Sequence, residues 1–167
     1  MGRTLVRLIN DTPALDLHGG LEGPDHPDMG TDLGTLAGLP ALGLALGGDA
    51  LELIAGADAV IDFSAPAATL EMASLCAQAR IVHVIGTTGF SDEDNASLAA
   101  AARHATLVKS GNMSLGVNLM AALVRQAAQA LGDEWDIEVL DMHHRHKVDA
   151  PAGTALLLGA AAADGGA

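Results

Sequence analysis

The chain has 167 residues, half of them apolar, which suffices for the core of one domain, or of one domain plus part of another. Its formal net charge of −13 disfavours binding to nucleic acid or to an anionic membrane surface. A single cysteine excludes an internal disulfide, and the absence of a signal peptide or of an apolar run near the roughly 18 residues of a membrane span predicts a cytoplasmic protein.

The first 50 residues carry weak structural signals. Arg3 to Ile9 has the spacing of an amphipathic helix, and Ala14 to Leu17 reads as a short strand. Gly19 to Gly48 is rich in Gly, Pro and Asp, which predicts a loop with little regular structure.

From Asp49 onward, short β-rich runs alternate with Ala-rich helical stretches. This alternation is typical of parallel βαβ units and predicts an α/β fold. The predicted elements are a strand at Ala59–Phe63, a helix through Ala79 opened by Ser64-Ala65-Pro66, a strand at Ile81–Ile85, a helix from the Ser91/Asp94 capping box to about His104, a strand at Thr106–Val108, a helix at Ser114–Leu131, a strand at Trp135–Met142 and a helix from Gly153 to about Ala163.

The densest chemical cluster is the run from His143 to Lys147, followed by Asp149 to Thr154. It follows a predicted strand, and open α/β sheets place their sites at the carboxyl ends of strands. Imidazoles transfer protons near neutral pH, and Lys holds a carboxylate or a developing negative charge. Gly153 and Thr154 at a helix start offer N–H groups and a hydroxyl to an anion. The cluster suits a small dicarboxylate substrate that undergoes proton chemistry.

Two other interpretations of this cluster compete. Neighbouring His residues on one segment point apart, and the chain has neither HExxH nor CxxC spacing, so we predict no metal site. A solvated basic loop without function is the other alternative, and the acidity of the whole chain disfavours it.

Two polar turns follow predicted strands. Gly86-Thr87-Thr88-Gly89 ends one strand and Ser110-Gly111-Asn112-Met113-Ser114 ends the next. A cofactor can lie across such turns, although turn chemistry alone explains either of them equally well.

Four segments in this order resemble the motifs of the dihydrodipicolinate reductase family. They are Val60–Ser64 (VIDFS), Val84–Phe90 (VIGTTGF), Asn112–Asn118 (NMSLGVN) and Glu138–Ala155 (EVLDMHHRHKVDAPAGTA). The resemblance implies a Rossmann-like parallel sheet lacking its first strand over residues 1–113, followed by the start of an α+β substrate domain over residues 114–167. It also implies NADH- or NADPH-dependent reduction of a cyclic dicarboxylate imine on the diaminopimelate route to lysine.

The resemblance assigns a role to particular positions. His143 would be the general acid and Lys147 its partner donor. The substrate carboxylates would be held by His144, Gly153 and Thr154. The nicotinamide side of the cofactor site would be lined by Gly86, Thr87, Thr88, Ser110, Gly111, Asn112 and Met113, and Glu22 would meet the adenosine ribose hydroxyls.

The sequence also departs from the family pattern. Gly23 stands where many members have an Arg that grips a 2′-phosphate, so we expect NADH to be favoured over NADPH. Met1-Gly2-Arg3 resembles only the tail of the Gly-rich loop, and the substrate domain is expected to continue beyond Ala167, so the chain reads as truncated at both ends. The resemblance implies a homotetramer for the intact family.

Two other functions are alternatives to the reductase. One is an inactive fragment that retains nucleotide or dicarboxylate binding. The other is a related dehydrogenase acting on an amino acid or semialdehyde, which the HHRHK segment disfavours.

Overall fold

The computed structural model describes residues 1–145, 147 and 151–166. It has the predicted α/β architecture with parallel strands. The elements in chain order are α1 (Gly2–Asn10), β1 (Gly20–Leu21), α2 (Leu33–Ala37), β2 (Leu46–Gly47), α3 (Ala50–Ile54), β3 (Ala59–Asp62), α4 (Pro66–Ala79), β4 (Val82–Ile85), α5 (Asp92–Ala101), β5 (Leu107–Lys109), α6 (Leu115–Leu131) and α7 (Gly153–Gly165).

A three-stranded parallel sheet, in the order β3–β4–β5, forms the centre of the fold. Asp62 stands opposite Ile85, and Ile85 opposite Lys109, so the three strands end at one edge. Helices α4 and α5 make the two crossovers and pack against each other. The βαβ prediction is confirmed, with element boundaries that differ from the predicted ones by at most three residues.

The core lies between this sheet and its two helices. Ala73, Ile85 and Leu98 are buried together, and Leu70 and Phe90 pack against them. With few aromatic side chains available, small and aliphatic residues fill the interface between the helices and the sheet. Elsewhere in α4, Cys76 is fully buried.

The two crossover helices begin differently. Helix α5 has the predicted capping box, in which Ser91 Oγ accepts from Asp94 N at 3.1 Å and Asp94 accepts from Ser91 N at 2.9 Å. Helix α4 has Pro66 in its first turn, but the N-cap is Ala65, which makes no side-chain cap. The prediction of a cap at Ser64 was wrong, because the Ser64 hydroxyl donates instead to Asp62 at 2.6 Å.

The first 50 residues are more ordered than predicted. The helix at Arg3–Ile9 is confirmed as α1. The prediction of a strand at Ala14–Leu17 was wrong. The first strand, β1, lies at Gly20–Leu21 and pairs in parallel with β2. The expected loop from Gly19 to Gly48 also contains α2, which Asp32 caps by accepting from Thr35 N at 3.0 Å.

The Asp32 carboxylate also accepts from the backbone N–H groups of Leu42 and Gly43. The hydrogen bond from Thr35, together with these, lowers the pKa of Asp32. One side chain therefore organises a loop that has few ladder hydrogen bonds of its own.

The strand predicted at Trp135–Met142 was also wrong. This segment has no regular secondary structure, and Leu140 and Met142 are 82% and 79% exposed. A strand needs a neighbour for its ladder hydrogen bonds, and in the described part of the chain the segment pairs with none. The cluster at His143 therefore follows an extended segment rather than a strand end.

A cleft of about 930 Å³ is lined by residues of α1, β1, α3 and β3. Glu22 and the first residues of the chain, Met1, Gly2 and Arg3, all line it. Within the described ranges, no helix is both long enough and apolar enough to cross a membrane.

Candidate active site

The turns after β4 and β5 lie side by side at the carboxyl edge of the sheet. The register sets Ile85 opposite Lys109, and Ser110 N donates to the Ile85 carbonyl at 3.2 Å. The sheet thereby brings together the two groups predicted to line the nicotinamide side, Gly86–Thr88 and Ser110–Met113.

Gly86 lies tightly against a neighbouring side chain. A β-carbon at Gly86 would overlap the ring of Phe63, which follows β3. The Phe63 ring therefore lies directly against the backbone at the start of the turn.

Thr87 and Thr88 are placed differently from each other. Thr87 is 5% exposed, and its Oγ1 accepts from Ser64 N at 3.1 Å and from Thr69 Oγ1 at 2.9 Å. Thr88 is half-buried. The Thr87 hydroxyl is thus engaged inside the fold, which leaves its backbone and Thr88 to form the surface of the turn.

Asn112 connects the second turn to α7. Its Nδ2 donates to Thr154 Oγ1 at 3.0 Å, and its Oδ1 accepts from Ser114 N at 2.9 Å. The Ser110 hydroxyl donates to the Asn112 carbonyl at 2.8 Å and closes the turn. Met113 is 43% exposed beside it.

The amino-terminal end of α7 lies against both turns. A β-carbon at Gly153 would stand 3.5 Å from Thr88 Cγ2 and 3.6 Å from the Gly111 carbonyl oxygen. The N-cap residue Ala152 offers no side-chain cap, so the first-turn N–H groups of α7 have no side-chain acceptor from the cap. Gly153 and Thr154, which were predicted to hold the substrate carboxylates, therefore lie against the two turns that were predicted to line the nicotinamide.

Asp141 ties His143 to this helix end. His143 Nε2 lies 2.6 Å from Asp141 Oδ1, and Ala152 N donates to Asp141 Oδ2 at 2.8 Å. The hydrogen bond from Ala152, together with the neighbouring charges of His143 and Lys147, lowers the pKa of Asp141. The carboxylate stays ionised and holds His143 Nε2 in place. The other ring nitrogen, Nδ1, can then face a ligand. Sequence reasoning gave Asp141 no role in the site.

The remaining basic residues of the cluster are placed in part. Lys147 is half-buried and its N–H donates to the His144 carbonyl at 3.1 Å, while the His144 side chain is exposed. His146, Val148, Asp149 and Ala150 lie outside the described residues.

Glu22 lies apart from these turns, directly after β1 in the two-stranded sheet. Its N–H donates to the Gly47 carbonyl at 3.1 Å, and its side chain is exposed where it lines the cleft. A β-carbon at the adjacent Gly23 would meet nothing within 4 Å.

A buried Asp–His pair that sequence reasoning missed lies behind the turn after β4. Asp62 Oδ2 lies 3.1 Å from His83 Nε2, and both side chains are nearly or fully buried. Burial alone raises the pKa of Asp62, but hydrogen bonds from His83, Ser64 and Thr69 outweigh it and bring that pKa down to about 2. The signal for it was His83 itself, a single polar residue in the otherwise apolar run of β4.

Two family models match this chain. The amino-terminal model of dihydrodipicolinate reductase matches residues 1–113, and the carboxyl-terminal model matches residues 116–167.

Individual relatives agree with the family models. A 4-hydroxy-tetrahydrodipicolinate reductase of Parvibaculum lavamentivorans is 71% identical over 99% of this chain and 61% of its own length. One from Brucella abortus is 59% identical over 99% of this chain and 62% of its own length. The chain thus spans about three fifths of the length of the curated relatives it matches.

A solved structure agrees as well. Dihydrodipicolinate reductase from Paenisporosarcina sp. TG-14, solved with dipicolinate bound, superposes with a TM-score of 0.72 at 26% identity, covering 99% of this chain and 63% of that one. The chain belongs to the dihydrodipicolinate reductase family.

Proposed function

We propose that this chain carries the reductase site that transfers a hydride from NAD(P)H to the cyclic dicarboxylate imine derived from 4-hydroxy-tetrahydrodipicolinate, giving tetrahydrodipicolinate. The observation that supports this most is the position of the α7 amino terminus. Gly153 lies against Thr88 and Gly111, and Thr154 is hydrogen-bonded to Asn112. A ligand held at Gly153 and Thr154 would therefore lie next to one held on the turns after β4 and β5.

The residues present fit a dinucleotide at two places. The cleft that contains Glu22 also contains the first turn of α1, whose cap makes no side-chain hydrogen bond. A carboxylate suits ribose hydroxyls and free helix N–H groups suit phosphate oxygens. At the sheet edge, the turns Gly86–Thr88 and Ser110–Met113 lie side by side, where a flat ring can lie across them. The cofactor, when bound, supplies the hydride.

Substrate binding falls to the start of α7. Its N–H groups and the Thr154 hydroxyl hold one carboxylate, and His144 approaches the other. A helix amino terminus favours an anion by about 0.3–1 kcal/mol. The dipicolinate bound to the solved neighbour supports a ligand of this class, because dipicolinate is also a cyclic dicarboxylate.

Proton transfer is the task of His143. Asp141 Oδ1, which lies 2.6 Å from His143 Nε2, fixes the orientation of the ring. His143 then delivers its proton to the reduced ring, while Lys147 offsets the negative charge that develops there. Asp141 acts through His143 and is a positioning residue.

The test uses the purified chain with NADH and 4-hydroxy-tetrahydrodipicolinate, following NADH oxidation. We expect turnover, and we expect His143→Gln and Lys147→Met each to lower kcat by about 10²-fold or more. His104→Gln, an exposed histidine after α5, is the matched control and keeps the native rate. Absence of turnover in the native chain, or an undiminished rate in both variants, contradicts the proposal.

Preference for NADH is the finer part of the proposal. Glu22 repels a 2′-phosphate, and among the described residues none lies within 4 Å of a β-carbon at Gly23, so none of them supplies a cation at that point. We expect kcat/KM to be higher with NADH than with NADPH. Gly23→Arg should narrow or reverse this ratio, whereas the neutral Gly23→Gln should not. A clearly higher kcat/KM with NADPH than with NADH in the native chain would contradict this preference.

Assembly into a homotetramer belongs to the same proposal. Leu115, Leu119 and Leu123 form an apolar row on α6 and are 86%, 59% and 55% exposed. A row of this kind is typical of a surface that another chain or domain covers. Sedimentation equilibrium of the purified chain tests whether copies of the chain cover this row: a mass above that of the monomer is expected, and a purely monomeric mass would contradict it.

A further inference from the structure

A buried polar cluster supports the turn after β4 from behind. Its members come from β3, the start of α4, β4 and the turn itself: Asp62, Ser64, Thr69, His83 and Thr87. Four of them are at most 7% exposed. The proposed function assigns no role to His83 or Asp62.

The parallel register places the two central members together. His83 stands opposite Val60, and Asp62 is two residues further along β3, so His83 and Asp62 are diagonal neighbours on one face of the sheet. His83 Nε2 lies 3.1 Å from Asp62 Oδ2. A histidine in the middle of β4 thereby reaches the carboxylate at the end of β3.

The second oxygen of Asp62 holds the start of the next segment. Asp62 Oδ1 accepts from Ser64 N at 2.9 Å and from Ser64 Oγ at 2.6 Å. With His83 on one oxygen and Ser64 on the other, the buried charge is fully hydrogen-bonded. A buried carboxylate requires such partners, since desolvation without them costs several kcal/mol.

Ser64 and Thr69 connect Asp62 to the turn after β4 through hydrogen bonds. Ser64 N also donates to Thr87 Oγ1 at 3.1 Å, and Thr69 Oγ1 donates to the same oxygen at 2.9 Å. Thr87 is followed by Thr88, which contacts the start of α7. The hydrogen bonds thus run without a gap from His83 to the residue beside the proposed nicotinamide position.

We propose that the His83–Asp62 pair is a positioning device that fixes the Gly86–Thr88 turn for the nicotinamide cofactor. The inference rests on the proposed function for its ligand, and on the contacts alone for its effect on the turn.

The geometry also restricts what His83 can do. Its side chain is fully buried, its Nε2 faces Asp62, and its Nδ1 has no hydrogen-bond partner among the described residues. The ring is enclosed in the core, so His83 supports Asp62 rather than acting on the substrate directly.

The test compares three variants of the purified chain. His83→Leu removes the donor and keeps much of the volume, and His83→Gln retains an amide N–H that can reach Asp62. Leu98→Val is the matched control, because it weakens the same core from α5 without touching the cluster. Two readouts are measured in chains shown to be folded by circular dichroism: the Kd for NADH, and amide hydrogen exchange of Gly86, Thr87 and Thr88 without ligand.

We expect His83→Leu to raise the Kd for NADH by about tenfold. We also expect it to speed exchange in the turn, with His83→Gln restoring most of both values and Leu98→Val changing neither. Native exchange and native NADH affinity in folded His83→Leu would overturn the proposal. If the native chain does not bind NADH, the proposed function fails, and the exchange measurement still decides whether the pair holds the turn.

Discussion

Replacing Asp62 by asparagine should change how the stability of the chain depends on pH. Asp62 is 7% exposed and receives hydrogen bonds from His83 and Ser64 that favour its ionised form. Its pKa falls from 3.8 to about 2 on folding. Because the folded pKa lies below the unfolded one, Asp62 stabilises the fold above pH 3.8, and this contribution is lost as the pH falls toward about 2.

The size of the effect follows from the shift in pKa. One pKa unit corresponds to about 1.4 kcal/mol, so a fall from 3.8 to about 2 is worth about 2 kcal/mol of unfolding free energy. The asparagine side chain of the Asp62→Asn variant cannot ionise, so the variant lacks this contribution. The native chain should therefore lose about 2 kcal/mol more than Asp62→Asn over this pH window.

The assay is urea unfolding followed by far-ultraviolet circular dichroism at a series of pH values. Asp133→Asn, which removes an exposed carboxylate, is the control and should follow the native curve. Asp32 and Asp141 also have lowered pKa values, but they are present in all three chains and cancel in the differences. Parallel curves for native and Asp62→Asn from about pH 5 to about pH 2 would refute the reasoning.

Three further predictions test the site. Asp141→Asn should lower kcat about tenfold and leave the Kd for NADH unchanged, because it acts through His143; an equal loss in both would contradict this. Gly86→Ala should destabilise the fold and weaken NADH binding, since its β-carbon overlaps Phe63, and adding Phe63→Leu should restore part of both; a native-like Gly86→Ala would refute the packing. Asn112→Leu and Thr154→Val should be non-additive in unfolding free energy by about 0.5–1.5 kcal/mol, and additivity would show that their hydrogen bond contributes nothing.

Local signals predicted most of the central sheet and its helices. The capping box of Ser91 and Asp94, the Pro66 turn and the apolar runs of β3 and β4 each depend on residues close in sequence. Such patterns carry their information within a few positions, so they can be interpreted without the fold. Their predicted order also implied that the turns after β4 and β5 would be neighbours.

Elements that depend on distant partners could not be predicted. Trp135–Met142 has a strand-like composition, but a strand forms only beside another strand. Asp32 organises its loop through N–H groups ten and eleven residues away. No local pattern states which side chain will meet a given backbone group.

The same limit applied to the candidate site. His143, Gly153 and Thr154 stood out from the sequence by residue type, but the Asp141 link between His143 and Ala152 depends on an eleven-residue separation. Thr87 was expected at the cofactor, and its hydroxyl is engaged with Ser64 and Thr69, which leaves only its backbone for that role. Residue chemistry can suggest a role, whereas the direction of a side chain follows from its neighbours in space.

In the proposed reductase, the α7 amino terminus and the turns after β4 and β5 form one site. Calorimetric titration of dipicolinate into the purified chain, with and without saturating NADH, tests it directly. We expect dipicolinate to bind more tightly when NADH is present, and we expect Thr154→Val to weaken dipicolinate binding in both cases. Equal dipicolinate affinity with and without NADH, unchanged in Thr154→Val, would contradict the claim.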